Sequence, residues 1–435
     1  MARFTRRKFL QASGATGLAG ILASHHAPAF AQQGQVHWIK WNDFVPASEE
    51  LLRKQMLPEA MKALGFKINL ETVNGNDLQP RVTSAIQSGT GPDVFMLFNN
   101  HPHIYGNAAV DVGDVTDAIA KAQGGYYNIA KANTTDGNKH LSVPWAVIGA
   151  MTSYRKSWFE EVGYNKFPET WQEYHDAGKK LKAKGRPLGQ TLGHTFGDAP
   201  TFSYPYLWSW GGKEVDEKGK VVLNSKETLE SVKFMQAFWK DSFDEGGLAW
   251  DDTNNNRAFL SGTISATLNG ASIYIETLRK PDQYQTEKGA PMKTDIQHSP
   301  LPKGPKGQFG FHLFQSHMVM SYSKNQKQAK EFLQWIHTPA NYEKWFTSQK
   351  GYSTPPTAVW EKHKMWDEDP VMAPFKIAAK LGLSPGYAGA PNRKAAEVLT
   401  KYIITDMYAK AVQGMSAEEA VKWAAEEVNK VYTGT

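Results

Sequence analysis

An early part of the chain alternates between strand-like and helix-like segments, and this alternation limits the folds that the chain can adopt. Residues 36–41 alternate apolar and polar side chains, Lys67–Val73 does the same, and Val94–Phe98 is a continuous apolar run. Helical patterns occupy the two intervals, at residues 47–64 and 78–87. A β-α-β-α-β order predicts a parallel sheet covered by helices, because parallel strands need a crossover connection.

The loops after the first and third predicted strands contain hydrogen-bonding side chains. Asn42 and Asp43 stand in the first loop, and Asn99, Asn100 and His101 stand in the second. Ligands of parallel sheets bind outside the carboxyl ends of the strands. We therefore expect these five residues on the ligand-binding side of the sheet, where amide, carboxylate and imidazole groups can bind hydroxyl groups.

Length and composition exclude several classes of protein. At 435 residues the chain is long enough for about two domains. Its formal charge of +6 includes Arg3, Arg6, Arg7 and Lys8, so the rest of the chain lacks the basic balance of a nucleic-acid-binding protein. The chain has no cysteine, which excludes disulfides, thiolate metal ligands and lipid attachment through a cysteine.

The N-terminus has the pattern of an export signal. Residues 5–10 read Thr-Arg-Arg-Lys-Phe-Leu, which matches the twin-arginine motif, and a mildly apolar segment follows at residues 12–23. Ala29 and Ala31 form a small-x-small cleavage site. We therefore expect a signal peptide at residues 1–31 and a periplasmic protein that is free in solution. Twin-arginine export is often linked to bound cofactors, but the sequence has no cofactor motif and we expect no cofactor.

Residues 143–174 predict a strand, a short connection and two helices. Gly163 is a helix stop signal, and Thr170 with Glu173 forms a capping box for the next helix. The spacing of residues in this stretch resembles the hinge-crossing segment of family 1 bacterial solute-binding proteins, the maltose-binding type. The matching residues are Pro144, Gly149, Tyr154, Arg155, Lys156, Phe159, Glu160, Glu161, Gly163, Pro168, Thr170, Trp171 and Glu173.

The resemblance covers essentially the whole mature chain. Gly-Pro-Asp at residues 91–93, F-x-x-G and N-G within residues 259–270, and Leu-Pro-x-Gly-Pro-x-Gly at residues 301–307 also match the family. The resemblance implies an α/β, two-lobed periplasmic-binding-protein fold of type II with three crossings between the lobes. The implied lobes are residues 35–146 with 309–353, and residues 147–308 with 354–435.

The family also implies a function. Such a protein captures a sugar or sugar-derived solute between its lobes and delivers it to the membrane permease of an ABC transporter. It acts as a monomer, binds no nucleic acid and is not an enzyme. Neutral polyols are strongly hydrated, so a site for them needs many matched hydrogen bonds together with an aromatic face for the C–H groups.

Further binding candidates follow from the family's ligand contacts. They are Trp41, Trp145, Phe202, Tyr204, Trp210, Ser272, His312, Gln315, Tyr387 and Asn392. Four of the aromatic candidates (Trp41, Trp145, Phe202 and Tyr204) are also compatible with a place in the core. Close maltose binders have an aromatic residue near position 272, so Ser272 argues against maltodextrin stacking at that point.

Other chemistries receive less support from the sequence. His101 and His103 lack a partner carboxylate or thiolate for a metal site, and Asp251 with Asp252 lacks Ca²⁺-loop spacing, which favours a solvated helix cap. An exported carbohydrate hydrolase would need two carboxylates across a cleft, and no such pair is evident. Alternative ligands within the binding class are a polyol phosphate, a peptide and a polyamine.

Overall fold

The computed structural model describes residues 34–434. The predicted twin-arginine motif and cleavage site lie outside the described residues. No helix within the described range is both long enough and apolar enough to cross a lipid bilayer.

Two β-sheets organise the described chain. The strands are β1 (Gln35–Trp41), β2 (Lys67–Val73), β3 (Val94–Phe98), β4 (Thr135–Asp136), β5 (Lys139–His140), β6 (Val143–Ile148), β7 (Met151–Arg155), β8 (Ala266–Asn269), β9 (Ile296–Ser299), β10 (Leu313–Val319) and β11 (Ser353–Thr354). The larger sheet has the order β11-β6-β10-β3-β1-β2, and the smaller sheet has the order β8-β7-β9. A short ribbon pairs β4 with β5.

The first three strands confirm the predicted parallel arrangement. β1 pairs in parallel with both β2 and β3. The continuous apolar run of β3 is buried along its whole length, as expected for a strand covered on both faces. β10 returns antiparallel between β3 and β6, so the complete sheet is mixed.

Helices cover both sheets. The α-helices are Pro46–Leu51, Leu57–Leu64, Leu78–Ser88, Gly113–Ala122, Asn128–Thr134, Lys156–Glu161, Trp171–Ala183, Asp198–Trp210, Lys226–Ser242, Asn254–Leu260, Ser272–Arg279, Gln326–Ile336, Pro339–Ser348, Met365–Glu368, Ala378–Leu381, Arg393–Thr400, Ile403–Val412 and Ala417–Thr433. A π-helical turn spans Leu52–Met56, and 3₁₀ turns span Gly75–Asp77, His101–His103, Gly106–Ala108, Glu245–Ala249, Met292–Thr294, Ala358–Lys362 and Pro370–Ile377.

The predicted capping box of Thr170 and Glu173 is confirmed, and Ser416 with Glu419 forms a second reciprocal box. The side chain of Asn325 precedes the helix Gln326–Ile336 but accepts no helix N–H. It donates instead to the backbone oxygen of Gln35 (2.9 Å), which ties the helix start to β1.

The chain crosses between the sheets at three places, which gives the two-lobed fold. β6 ends in the larger sheet and β7 begins in the smaller one, with only Gly149 and Ala150 between them. A side chain at Gly149 would have its Cβ 2.8 Å from Cδ1 of Phe375, so only glycine fits this crossing. The second crossing leads from β9 to β10, and the third follows β11 toward the helices of residues 393–433, which pack in the core of the second lobe.

Residues 355–381 contact both lobes. Trp360 Nε1 donates to Gln123 Oε1 (2.8 Å), and the Tyr127 hydroxyl donates to Glu361 (2.9 Å), which joins the segment to the first lobe. Phe375 packs on His298 of the smaller sheet, with ring centroids 4.8 Å apart. We therefore propose that this segment bridges the two halves, and the lobe boundaries given above remain a prediction.

Candidate functional site

A cavity lies between the lobes at the carboxyl ends of β1, β6 and β8. Its volume is about 350 Å³ with the opening to solvent included. It is lined by Trp41, Phe44, Ile148, Gly149, Ala150, Phe196, Gly197, Asp198, Thr201, Asp252, Asn269, Gly270, Leu313 and Tyr352. Both lobes and the first crossing therefore contribute to its walls.

One side of the cavity is aromatic. Trp41, the last residue of β1, forms an edge contact with Phe44 in the following loop, with ring centroids 5.5 Å apart. Tyr352, which precedes β11, lies 6.4 Å from the Trp41 ring. These rings offer flat apolar faces of the kind that pack against the C–H groups of a sugar or against a cation.

Phe196 extends from the second lobe into the first. Its ring stacks on Phe98 with centroids 4.7 Å apart and planes 9° apart, and it meets Trp41 edge-on at 5.3 Å. The ring also lies directly against Gly75, where a Cβ atom would come within 2.7 Å of three ring atoms. The lobes therefore touch across the cleft at this inserted aromatic side chain.

The opposite side of the cavity contains two buried carboxylates. Asp252 accepts hydrogen bonds from the Thr195 hydroxyl (2.7 Å), from the backbone N–H of Gly197 (3.1 Å) and from that of Asp198 (2.7 Å). Burial raises the pKa of Asp252 to about 6 despite these three donors. The carboxylate thereby fixes the backbone at the start of the helix Asp198–Trp210.

Asp198 is the first residue of that helix and points its carboxyl group toward the cavity. Its Oδ2 atom accepts from Nδ2 of the buried Asn255 at 2.6 Å. Within residues 34–434, no donor reaches the second oxygen, Oδ1. Burial, followed by the negative charge of Asp252, raises the pKa of Asp198 well above its ordinary value.

A small amide network supports the floor of the cavity. Asn269, at the end of β8, donates to Oδ1 of Asn256 and accepts from the Ser272 hydroxyl at 3.0 Å. Asn256 in turn donates to Ser272 at 3.1 Å. The predicted site residue Ser272 therefore orients Asn269, which lines the cavity, and does not itself face the opening.

The structure divides the candidates of the first loop. Trp41 lines the cavity. Asp43 is turned back into its own loop, where it accepts from the backbone N–H of Val45 (2.9 Å) and lies 3.6 Å from the Lys40 ammonium group. Asn42 is exposed and lies outside the cavity wall.

The candidates after β3 lie beside the cavity. Asn99 has a left-handed backbone (φ 47°) and accepts from the backbone N–H of Phe314 through its side chain, so it joins β3 to β10. Asn100 is fully buried, and no partner among the described residues reaches its amide group. His101 lines a second cavity with Phe196 and Tyr402, where burial lowers its pKa to about 4.

Five aromatic or polar candidates lie away from the cavity. Trp145 packs among other aromatic rings, including Trp345 at 4.1 Å, beneath the larger sheet. Phe202 and Tyr204 are buried in the core of the second lobe. Trp210 lines an outer groove of that lobe. Gln315 lies in β10, where it is paired with Phe98 of β3. Phe202 and Tyr204 lie in the core because their helix is surrounded by other elements, and such a helix buries aromatic side chains on every face.

Three further candidates have structural contacts. His312 accepts from the backbone N–H of Ala150 (3.0 Å) and so fastens the first crossing. Tyr387 packs edge-on against Trp208 at 4.9 Å. Asn392 caps the helix Arg393–Thr400 by accepting from the backbone N–H of Ala395.

The sequence did not reveal the most polar part of this cleft. Asp251 does act as a partly exposed cap, since it accepts from the backbone N–H groups of Thr253 and Asn254, but its neighbour Asp252 is buried in the cleft. Phe196 and Asp198 lie in the aromatic stretch of residues 194–212. Its sequence pattern does not show which side chains face the cleft. Across residues 34–434, no group of three or more His, Asp or Glu side chains is arranged to hold a metal ion.

Comparison with known proteins decides the family. Residues 44–343 match the family model described as bacterial extracellular solute-binding protein. The chain belongs to this family.

A probable ABC transporter-binding protein of Deinococcus radiodurans is 24% identical over 62% of this chain and 64% of its own length. The diacetylchitobiose binding protein DasA of Streptomyces coelicolor is 26% identical over 30% of this chain and 32% of its own length. The matched regions thus span less than two thirds of either relative.

Solved structures of solute-binding proteins share the fold. Maltose-bound MalE3 of T. maritima has a TM-score of 0.75 at 21% identity, covering 91% of this chain and 99% of that one. A tagatose-bound solute-binding protein of Thermotoga lettingae has a TM-score of 0.76 at 18% identity, covering 92% and 99%. This similarity establishes that the chain has the mixed α/β, two-lobed fold of these solute-binding proteins.

Proposed function

We propose that this solute-binding protein captures a sugar or a sugar-derived solute in the interlobe cavity and delivers it to the permease of an ABC transporter. The proposal places the mature protein in the periplasm as a monomer after twin-arginine export. It involves no reaction of the solute and no nucleic acid.

The observation that supports this proposal is the division of the cavity into an aromatic side and a polar side. Trp41, Phe44 and Tyr352, which lie at the ends of strands of the larger sheet, supply apolar rings, while Asp198 and Asn269 of the other lobe supply hydrogen-bonding groups. A polyol presents C–H groups on one face and hydroxyl groups at its edge, so both sides find a partner. Each hydrogen bond contributes only about 1 kcal/mol net, which is why several must converge.

The known ligands of similar structures agree with this class of solute. Those proteins are described with bound maltose, tagatose and ribitol.

Lobe closure provides the mechanism. Phe196 of the second lobe stacks on Phe98 of the first, and both lobes contribute to the cavity walls. A solute that touches both walls binds the closed arrangement more tightly than the open one, so it shifts the equilibrium toward closure. The permease can then distinguish the loaded protein by its closed shape.

The carboxylate pair does not favour the hydrolase alternative. Asp252 accepts from the backbone N–H of Asp198, so both carboxyl groups lie on the same side of the cavity. Glycoside hydrolysis needs its two carboxyl groups on opposite sides of the scissile bond. Incubating the protein with sugar polymers tests this point, and product release that disappears in Asp198→Asn would support the hydrolase.

A thermal-shift screen tests the binding proposal. Monosaccharides, disaccharides, polyols, putrescine and inorganic phosphate serve as probes, and a solute at about 100 times its dissociation constant should stabilise the protein by about 2.7 kcal/mol. Trp41→Ala should remove the shift. Trp210→Ala is the matched control, because Trp210 lies on the outer groove. A screen in which sugars and polyols give no shift would contradict the proposal.

A further inference from the structure

We infer that the solute carries a protonated amine, which binds the free carboxylate oxygen of Asp198. This inference deepens the proposed function and rests on it, since it assigns the chemical class of the solute held in the same cavity. An amino sugar combines this cationic group with the polyol body that the other cavity walls fit.

The first support is the unused hydrogen-bonding capacity of Asp198. The residue is 9% exposed, and its Oδ2 atom is occupied by Asn255. Oδ1 has no donor within the described chain, although the residue lines the cavity. This oxygen is not enclosed by the protein, so a solute N–H group inside the cavity can reach it and supply the donor.

The second support is the absence of a compensating cation. Within the described residues, no Lys or Arg side chain lines the cavity. Asp43 shows the contrast, because the buried Lys40 ammonium group lies 3.6 Å from it and 3.2 Å from Glu49. A site for an anionic solute such as a sugar phosphate would require cationic donors instead.

The groups that face Asp198 are acidic or neutral on each element around it. Asp252 and the more distant Asp251 come from the segment before the helix Asn254–Leu260, and both act on Asp198 through their negative charge. Asn255 comes from that helix itself. Tyr352 approaches from the third crossing and is in turn influenced by Asp198, Asp252 and Asp43. A cation entering this environment is attracted by every charged group near it.

The third support is the aromatic side of the cavity. The rings of Trp41, Phe44 and Tyr352 line the same cavity as the two carboxylates. Aromatic faces attract ammonium groups through the negative charge of the ring face, most strongly for tryptophan. A protonated amine placed between ring faces and a carboxylate is therefore bound from both sides.

A neutral sugar could use the same residue in the opposite protonation state. Burial raises the pKa of Asp198, so this carboxyl group takes up a proton more readily than an ordinary aspartate and in its protonated form can donate to a hydroxyl oxygen. A cationic solute requires the ionised carboxylate, so its binding expels any proton held there. A neutral solute that accepts a hydrogen bond retains the proton. Proton release therefore distinguishes the two solutes.

Titration calorimetry with matched sugars tests the inference. Glucose with glucosamine, and galactose with galactosamine, differ only in the replacement of one hydroxyl by an amine. In at least one pair the amine should bind about 10- to 100-fold more tightly, as expected for a charge-assisted hydrogen bond. The same titration in two buffers of different ionisation enthalpy should show proton release for the amine and none for the neutral sugar.

Two isosteric variants localise the effect. Asp198→Asn should reduce the preference for the amine by about tenfold or more and abolish the proton release. Asp216→Asn is the matched control, since Asp216 accepts from backbone N–H groups in a turn outside the cavity wall, and this variant should retain both. Melting curves of both variants establish that they fold.

Each outcome has a definite meaning. Equal binding of both members of each pair would overturn the inference while the proposed function stands. Binding of putrescine without binding of any sugar would support the cationic site and contradict the sugar class. An amine preference that survives in Asp198→Asn would overturn the assignment to Asp198, and no binding of any probe would overturn both proposals.

Discussion

Adding one methyl group at Gly75 should prevent the lobes from closing fully. Gly75 lies in a 3₁₀ turn of the first lobe without a positive φ, so alanine is compatible with its own backbone. The new Cβ would, however, come within 2.7 Å of Cδ1, Cε1 and Cζ of Phe196. The Phe196 ring must move by about 1 Å to restore normal contact distances.

The cost of that movement follows from the contacts of Phe196. The ring would lose its stacked contact with Phe98 and its edge contact with Trp41. Such aromatic pairs contribute about 0.5–1.5 kcal/mol each, so closure should lose about 1–3 kcal/mol. Because the solute binds the closed state, its dissociation constant should rise by about 5- to 150-fold.

Small-angle scattering and calorimetry measure the two effects. Gly75→Ala should increase the radius of gyration and weaken binding of whichever sugar gives the largest thermal shift. Gly106→Ala is the control, because a Cβ in this similar turn would meet Leu141 at an ordinary 3.4 Å. The double variant Gly75→Ala, Phe196→Ala should bind no more weakly than Phe196→Ala alone. Unchanged affinity in Gly75→Ala would refute the contact as a determinant of closure.

Three other predictions concern charge and packing. Burial raises the pKa of Asp198, so its contribution to stability is complete at acidic pH and is lost as the pH rises through that pKa. The melting temperature of Asp198→Asn relative to wild type should therefore increase as the pH rises above about 4, the ordinary pKa of an aspartate. A constant difference would contradict this sign. Arg155 is fully buried with Nε 2.7 Å from Asp295, so Arg155→Ala should cost about 3–5 kcal/mol in urea unfolding, and a loss below 1 kcal/mol would contradict it. Trp210→Ala should change solute affinity less than about twofold by calorimetry, because Trp210 lines the outer groove.

The sequence predicted the parts of the fold that depend on local pattern. The parallel order of β1, β2 and β3 and the Thr170–Glu173 capping box follow from periodicity and spacing within short segments. The first crossing was recognised from the family spacing of residues 143–174, although that reading predicted a single strand where the structure has β6 and β7 on either side of Gly149 and Ala150. These features require no information about distant parts of the chain.

The candidate site depends on contacts that no local pattern records. Asp198 and Asp252 are 54 residues apart, and their proximity results from a hydrogen bond between a carboxylate and a backbone N–H. Aromatic side chains gave little guidance in the helix Asp198–Trp210, because it is buried on nearly every face. Phe202 and Tyr204 thus lie in the core, while Phe196, just before the helix, reaches the cleft.

The contact between Phe196 and Trp41 gives the molecule an optical reporter of its own. Trp41 lies at the solute cavity, and its edge contact joins residues of different lobes, so its surroundings change whenever the lobes separate. Indole emission responds to such a change without any attached dye. The chain has 14 tryptophans, so the part of the emission change that Trp41→Phe removes would be the signal for solute binding.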